Sequence, residues 1–88
     1  MTFEWDEEKS MRTFQERGFD FSYASRIFSG SVVEWESPRA GEHRTKATGM
    51  VDGRYITVIY TWRSGLRRII SARPARREER DVYDAQDK

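Results

Sequence analysis

Seven arginines crowd the segment from residue 63 to residue 80, RSGLRRIISARPARREER, where only two glutamates accompany them. Arginine keeps its charge at any physiological pH, and its planar fork of donors fits phosphate oxygens. A surface that concentrates such groups is suited to bind a polyanion and to stabilise negative charge that develops on a phosphate. We therefore expect this segment to form the site where a phosphate-bearing ligand is handled.

The remaining titratable residues limit what else the site can do. His43 is the single histidine, so a catalytic pair of histidines is excluded, and the lack of cysteine excludes disulfides, thiolate metal sites and a cysteine nucleophile. Asp6, Glu7 and Glu8 are adjacent at a predicted helix start and do not converge. No glycine-rich phosphate-binding motif of the GxGxxG or GxxxxGK[ST] type occurs. We predict neither a metal site nor a cofactor.

Length and charge point to one small domain spanning residues 1–88. The net charge of +1 hides an asymmetry, because residues 1–42 carry five basic and nine acidic side chains, whereas residues 43–88 carry eleven and six. One surface can thus attract phosphates while another meets a basic partner. No apolar run approaches the roughly 18 residues that cross a bilayer, and the cysteine-free composition fits a reducing cytoplasm.

Hydrophobic periodicity predicts two helices followed by a sheet. The N-terminal elements are a strand over residues 2–5, a helix between a cap at Asp6 and a stop at Gly18, and a second helix from about Ser22 to Gly30. The strands that follow span residues 32–36, 42–50, 54–62 and 66–73, with two-residue turns at Asp52-Gly53 and Ser64-Gly65. Pro74 ends the last strand, and residues 75–86 form a helix with few apolar residues. Such a helix is held weakly by its own domain.

A two-residue turn at Ser64-Gly65 fixes which side chains share a face of the second hairpin. It predicts one face with Val58, Tyr60, Ile69, Ser71 and Arg73 and the other with Thr57, Ile59, Ile70 and Ala72. Each face carries an isoleucine, which suits a sheet with helices on one side and a functional cleft on the other.

The chain resembles the BrnT-type toxins over nearly its whole length. The residues that carry the resemblance are Phe3-Glu4-Trp5-Asp6, Lys9, Gly18, Phe21, Ala24, Phe28, Gly41-Glu42, Arg44, Gly49, Gly53-Arg54, Tyr60-Thr61, Arg63, Arg68 to Arg73, Ala75, Arg77, Glu79-Arg80 and Tyr83. The resemblance implies a RelE-like α+β fold, with two N-terminal helices packed on a mostly antiparallel sheet of four to five strands and a C-terminal helix. It also implies a metal-independent endoribonuclease that blocks translation and growth until an antitoxin neutralises it.

The partners are implied by the same resemblance. They are an RNA substrate and a BrnA-type ribbon-helix-helix antitoxin, in a heterotetramer of two toxins and two antitoxins that contacts promoter DNA only as the complex. The first helix departs from the family pattern, since Thr13, Glu16 and Arg17 stand where members often read Asn-x-x-Lys-His. Glu16 replaces a positive charge by a negative one, and Arg17 is a poor base. A catalytically weak or inactive binding module of the same fold is therefore the alternative function.

Cleavage of RNA without a metal requires deprotonation of the 2′-hydroxyl, stabilisation of the dianionic phosphorane and protonation of the departing 5′-oxygen. Arg63 and Arg73 end predicted strands, and we expect them to hold the scissile phosphate. Candidates for proton transfer are Glu42, His43 and Tyr60, whose order the sequence leaves open.

Flanking phosphates are expected to bind Arg44 and Lys46, which share one face of a strand, together with Arg67 and Arg77. Alternative interpretations exist for several of these residues. Tyr60 is suited to core packing, Arg67 to protection of a sheet edge, and Arg77 to a solvated helix face on which Arg76 to Arg80 pair among themselves.

Overall fold

The computed structural model describes residues 2–39 and 41–86, which form a mixed α+β structure. In these ranges the elements are β1 (Phe3–Trp5), α1 (Glu7–Arg17), α2 (Phe21–Ala24), a 3₁₀ helix (Ser25–Ser29), β2 (Val33–Glu36), β3 (Thr45–Val51), β4 (Arg54–Arg63), β5 (Leu66–Pro74) and α3 (Arg77–Ala85). The strands build one five-stranded sheet in the order β1-β5-β4-β3-β2. Strand β1 pairs parallel to β5, and the other pairs are antiparallel.

Local signals at the ends of α1 act as the sequence predicts. The Asp6 carboxylate accepts hydrogen bonds from the backbone N–H groups of Glu8 and Lys9, which have no partner within the helix. Gly18 ends the helix with a φ of 86°, in the left-handed region that favours glycine. The second predicted helix begins at Phe21 and continues as the 3₁₀ helix before Gly30.

The core lies between these helices and one face of the sheet. Phe21, Ala24 and Ile27 are buried against a sheet face that presents Ile56 and Val58. Gly49 lets the 3₁₀ helix approach β3 closely, because a Cβ atom at this position would lie 2.9 Å from the Ile27 Cβ. This face of the sheet, which also carries Ala47, Tyr60 and Ala72, is called the helix-covered face below.

Both hairpin turns have the predicted length. Asp52 and Gly53 have φ values of 52° and 79°, and Ser64 and Gly65 have 54° and 79°. Two consecutive positive φ values define the type I′ turn, whose twist matches the twist of paired strands.

The register of the β4–β5 hairpin corrects the predicted faces. Tyr60 pairs with Ile69 as the turn requires, but Ile59 pairs with Ser71, so Ile70 is an extra residue in a β-bulge. Beyond the bulge every β5 side chain changes face. The assignment of Arg73 to the face of Val58 was therefore wrong: Thr57 pairs with Arg73 and Val58 with Ala72. The bulge places Ala72 in the core.

Helix α3 lies on the opposite side of the sheet, where it contacts β3. This side is called the α3 face below, and it presents Lys46, Thr48, Thr57, Ile59 and Arg73. Lys46 and Thr48 alternate with the core residue Ala47, and the other three residues follow from the cross-strand pairs. The helix starts at Arg77, two residues later than predicted. Its last turn is held to β4 by a hydrogen bond of 2.8 Å that the Tyr55 hydroxyl donates to Asp84. Among the described residues, no helix is long and apolar enough to cross a membrane.

Candidate active site

The candidate site is built on the α3 face from three neighbouring strands. Thr48, Thr57 and Arg73 lie side by side in the cross-strand register, and Lys46 and Ile59 lie in a parallel row two residues along. Strand alternation thus brings cationic side chains of β3 and β5 to either side of an uncharged strip on β4.

Glu79 of α3 reaches into this face and is the hub of a buried polar cluster. Only 2% of its side chain is exposed. Its oxygens accept two hydrogen bonds of 2.8 Å from the Arg73 guanidinium, one of 3.0 Å from the Thr57 hydroxyl and one of 2.8 Å from the Arg76 backbone N–H. The Lys46 ammonium lies 3.0 Å from the oxygen that Arg73 Nη2 also contacts. Thus two cations share one carboxylate.

These contacts decide the charge state of the cluster. The pKa of the Glu79 carboxyl lies far below its ordinary value, chiefly because Arg73 donates to it, and the donors of Arg76, Lys46 and Thr57 add to an effect that burial opposes. The same hydrogen bonds raise the pKa of Arg73. Glu79 is therefore a carboxylate at any working pH and a poor proton acceptor. The expectation that Glu79 belongs to a solvated helix face was wrong, because its side chain points into the sheet.

The cluster leaves its two cations unequally accessible. The Arg73 side chain is 12% exposed, and both of its terminal nitrogens donate to Glu79. The Lys46 side chain is 27% exposed, and its ammonium group has further protons to donate. Lys46 is thus the cation of this pair that a ligand reaches more easily.

Two more arginines extend the basic surface along the α3 face. Arg44 precedes Lys46 by two residues, and its guanidinium contacts Glu42 at 2.8 and 2.7 Å. Arg68 pairs with Thr61 on β4, whose position alternates with Ile59, and it lies 3.6 Å from Glu4. These two arginines flank the polar cluster and define a basic strip with Lys46 and Arg73.

The structure does not bring Arg63 and Arg73 together. Arg63 ends β4, six residues beyond Thr57, the partner of Arg73. At about 3.3 Å per residue this places the two positions roughly 20 Å apart. A single phosphate cannot contact both arginines, so the predicted pair does not form one phosphate site.

Tyr60 and Arg67 lie on the other side of the sheet. Tyr60 is a buried core residue whose hydroxyl donates to Glu34 at 2.8 Å, and burial is the main cause that raises the pKa of its phenol. The Arg67 guanidinium lies 4.2 Å from the ring centre of Phe28 and 4.8 Å from that of Trp62. The sheet therefore separates both residues from the basic strip.

The remaining predicted residues lie at the margins. His43 is 72% exposed and its imidazole is 3.5 Å from Glu36 at the outer strand β2, away from Arg73. Glu42 lies beside Arg44, so it is the one of the three proton-transfer candidates that contacts the basic strip. Arg77 is the exposed first residue of α3.

Three members of the polar cluster, Thr48, Thr57 and Glu79, were not predicted as site residues. Thr48 and Thr57 share a hydrogen bond of 2.6 Å, and both are fully buried. The threonines interrupt otherwise apolar or small strand positions, which is a usable signal. Glu79 stands three residues after the N-terminal cap of α3, a spacing that predicts a capping contact and not a buried ion pair.

A small α+β domain with a basic strip on one sheet face is the class that these observations define. The family model described as "Ribonuclease toxin, BrnT, of type II toxin-antitoxin system" matches residues 5–79. The chain belongs to this family, and the resemblance found in its sequence is confirmed. Comparison with curated proteins gives no match. In residues 2–39 and 41–86, no three side chains of the His, Cys, Asp or Glu type are grouped as metal ligands.

Proposed function

We propose that this ribonuclease toxin is a metal-independent endoribonuclease with its active site on the basic strip of the α3 face. The observation that supports the proposal most directly is the pair of cations, Lys46 and Arg73, held on one buried carboxylate at 3.0 and 2.8 Å. Together with the Glu79 carboxylate the two cations leave one net positive charge, and the Lys46 ammonium is the part that solvent reaches. Fixed donors of this kind stabilise charge in a transition state because they need no reorganisation.

In the proposed reaction the 2′-oxygen attacks the neighbouring phosphorus and the bond to the 5′-oxygen breaks. The 5′-oxygen leaves with a proton taken from water, and the products are a 2′,3′-cyclic phosphate and a 5′-hydroxyl. Lys46 donates to the non-bridging oxygens, where the negative charge grows, while Arg44 and Arg68 hold the flanking phosphates. Cations of the protein thereby supply the charge neutralisation that a metal ion supplies in other nucleases.

Glu42 is the proposed proton acceptor for the 2′-hydroxyl. It is solvent-exposed, and it lies 2.7 Å from Arg44, which would place it beside an RNA strand bound along the strip. His43 and Tyr60 have no place in this step, because Glu36 and Glu34, their respective partners, belong to β2 and not to the strip.

Arg73 and Glu79 act as positioning residues. The two hydrogen bonds of 2.8 Å between them fix Glu79, and Glu79 in turn fixes the Lys46 ammonium. Arg63, Arg67 and Arg77 lie outside this arrangement, so any RNA contact that they make is remote from the cleaved bond.

Membership of the family supports a proposal for the biological setting. We propose a RelE-like toxin that inhibits translation and growth in the cytoplasm. A BrnA-type ribbon-helix-helix antitoxin neutralises it in a heterotetramer of two toxins and two antitoxins, and promoter DNA is bound only by the complex. An antitoxin that covers the basic strip screens its charges and excludes RNA.

The test expresses the chain alone and together with the product of its neighbouring gene, while growth and total RNA are followed. Arrest and RNA fragmentation are expected only for the chain alone. Purified toxin should cleave RNA in the presence of EDTA and leave 2′,3′-cyclic phosphate ends. A chain that neither arrests growth nor cleaves RNA when expressed alone refutes the toxin function, and loss of cleavage in EDTA refutes metal independence.

Two observations favour a second candidate function, a binding module with little catalysis. Arg73 and Lys46 already have an anionic partner in Glu79, and Glu16 and Arg17 stand where family members often carry a lysine and a histidine. A module of this kind binds RNA without cleaving it, and a cleavage assay with and without EDTA separates it from the first candidate, because the module cleaves RNA in neither condition.

A further inference from the structure

A pocket at the end of the sheet is lined by three arginines that the proposed cleavage does not use. It has a volume of about 280 Å³ and lies where the connection between α1 and α2 meets the start of β4 and the chain just before α3. Its lining consists of Arg17, Phe19, Arg54, Tyr55, Ile56, Pro74, Ala75 and Arg80. This group is called the arginine pocket below.

The arginines of the pocket make no ion pair within the described part of the chain. Across residues 2–39 and 41–86, none of Arg17, Arg54 and Arg80 lies within 4.0 Å of a carboxylate oxygen. All three are exposed. By contrast, Arg44, Arg68 and Arg73 each have a carboxylate partner. Three guanidinium groups without a direct carboxylate contact around one cavity favour an anionic ligand.

The walls of the pocket are apolar and partly aromatic. Phe19 and Ile56 belong to the buried core, Pro74 and Ala75 add aliphatic surface, and Tyr55 presents a half-buried ring. The volume is close to the lower end of the range for small-molecule sites, so the pocket accepts one planar ring and not a helix. A ligand that fits has a flat apolar body and carries negative charge.

We propose that the arginine pocket binds one nucleotide of single-stranded RNA, with its base against the apolar wall and its phosphates on the arginines. The inference rests on the proposed ribonuclease function and adds a subsite to it. Ile56 and Pro74 belong to the helix-covered face, whereas Tyr55 and Arg80 lie on the side of α3, so the pocket opens at the end of the sheet. An RNA strand that leaves the basic strip past Arg73 reaches the pocket by passing around this end.

Binding is tested with a fluorescently labelled hexanucleotide that carries 2′-O-methyl groups, which cannot be cleaved through its 2′-oxygen. Arg54→Ala and Arg80→Ala should each weaken binding about tenfold and reduce the slope of log affinity against log salt by about 0.7, the value for one lost phosphate contact on a single strand. Arg54→Lys should restore the slope. Arg12→Ala, which removes an exposed arginine of α1 outside the pocket, is the matched control and should keep the wild-type slope.

A second measurement tests the base. Removal of one base at a time from the hexanucleotide should identify a position at which wild-type binding weakens about tenfold, because stacking on aromatic groups stabilises each bound base. In the Arg54→Ala variant, removal of the same base should reduce the affinity for the hexanucleotide much less. Unchanged affinity and slope in both arginine variants overturn the proposal. The proposal is also overturned if the two arginine variants bind RNA as wild type does but no longer bind an acidic hexapeptide. In that case the pocket serves a protein partner.

The binding assay is independent of cleavage, so the two proposals fail separately. If wild-type protein does not cleave RNA but shows pocket-dependent binding, the ribonuclease function fails and the nucleotide site stands. If wild-type protein cleaves RNA while the pocket variants bind and cleave as it does, only the nucleotide site is refuted.

Discussion

Substitution of Glu79 by glutamine tests the polar cluster with almost no change in shape. The neutral amide cannot balance the charges of Arg73 and Lys46. Its NH₂ group also places a hydrogen-bond donor against the donors of these two side chains. Two buried or half-buried cations therefore lose their partner. Removal of one partner from a buried ion pair typically destabilises a protein by about 3–5 kcal/mol. Small domains have a total stability of roughly 5–15 kcal/mol, so this single change should bring the fold close to its limit.

The assay is urea unfolding at pH 7, compared among wild type, Glu79→Gln and Glu78→Gln. Glu78 is the matched control, because it is the exposed neighbour of Glu79 on the same helix. We expect a loss of about 3–5 kcal/mol for Glu79→Gln and less than about 0.5 kcal/mol for the control. The melting temperature of a domain of this size falls by about 4–8 °C per kcal/mol, so thermal unfolding should show the difference clearly.

The pH dependence of this difference follows from the direction of the pKa shift. The Glu79 carboxyl has a lower pKa in the folded state than in the unfolded state, so the unfolded state binds the proton more readily. The stabilisation is complete above the unfolded pKa of about 4.3 and is lost progressively as the pH falls below it. Wild type and Glu79→Gln should therefore converge in stability on acidification. Equal losses for the two glutamine variants at pH 7 would refute the inference that Glu79 holds α3 to the sheet.

Three further predictions concern other parts of the chain. Lys46→Met should lower RNA cleavage by about 10²- to 10³-fold, the usual effect of removing one transition-state donor, while circular dichroism shows a retained fold; cleavage near the wild-type rate would place the active site elsewhere. Gly49→Ala should destabilise by about 1–3 kcal/mol in urea unfolding, because its Cβ would meet Ile27 at 2.9 Å, and a neutral result would mean that the 3₁₀ helix shifts freely. Tyr60→Phe should cost about 1 kcal/mol through loss of its hydrogen bond to Glu34 and leave cleavage unchanged, whereas a large loss of cleavage at full stability would restore Tyr60 as a proton donor.

Local signals in the sequence were sufficient for most elements of the fold. The cap at Asp6, the stop at Gly18 and the turns at Asp52-Gly53 and Ser64-Gly65 each depend on a residue type with one strong backbone preference, and all four occur as predicted.

The face of Arg73 could not be obtained in this way. Its side depends on the bulge at Ile70, and no residue type marks that position, since Ile70 fits a regular strand equally well. The bulge depends on tertiary packing, because it allows both Ile69 and Ala72 to lie in the core. One inserted residue then moves Arg73 to the α3 face, which also carries Lys46 and Thr57.

The separation of the predicted site residues has a related cause. Regular alternation would put Tyr60 and Arg73 on the same face, but the extra residue in the bulge puts their side chains on opposite faces. Arg63 and Arg73 both end strands, but Arg63 lies at the turn of the β4–β5 hairpin and Arg73 lies at its open end. Strand-end position therefore predicts nothing about proximity in a hairpin unless the direction of each strand is considered.

Charge, more than apolar packing, holds α3 in place. Val82, its main apolar residue, is largely exposed, and Tyr83 contacts Tyr55 at the far end of the helix. The buried anchor is Glu79, whose oxygens also satisfy Arg73 and Lys46. Movement of α3 away from the sheet would separate a carboxylate from two cations, so the docking of the helix and the electrostatic state of the proposed active site form one equilibrium. A bound phosphate can use the ammonium protons of Lys46 that Glu79 leaves free, so it can bind while α3 stays docked.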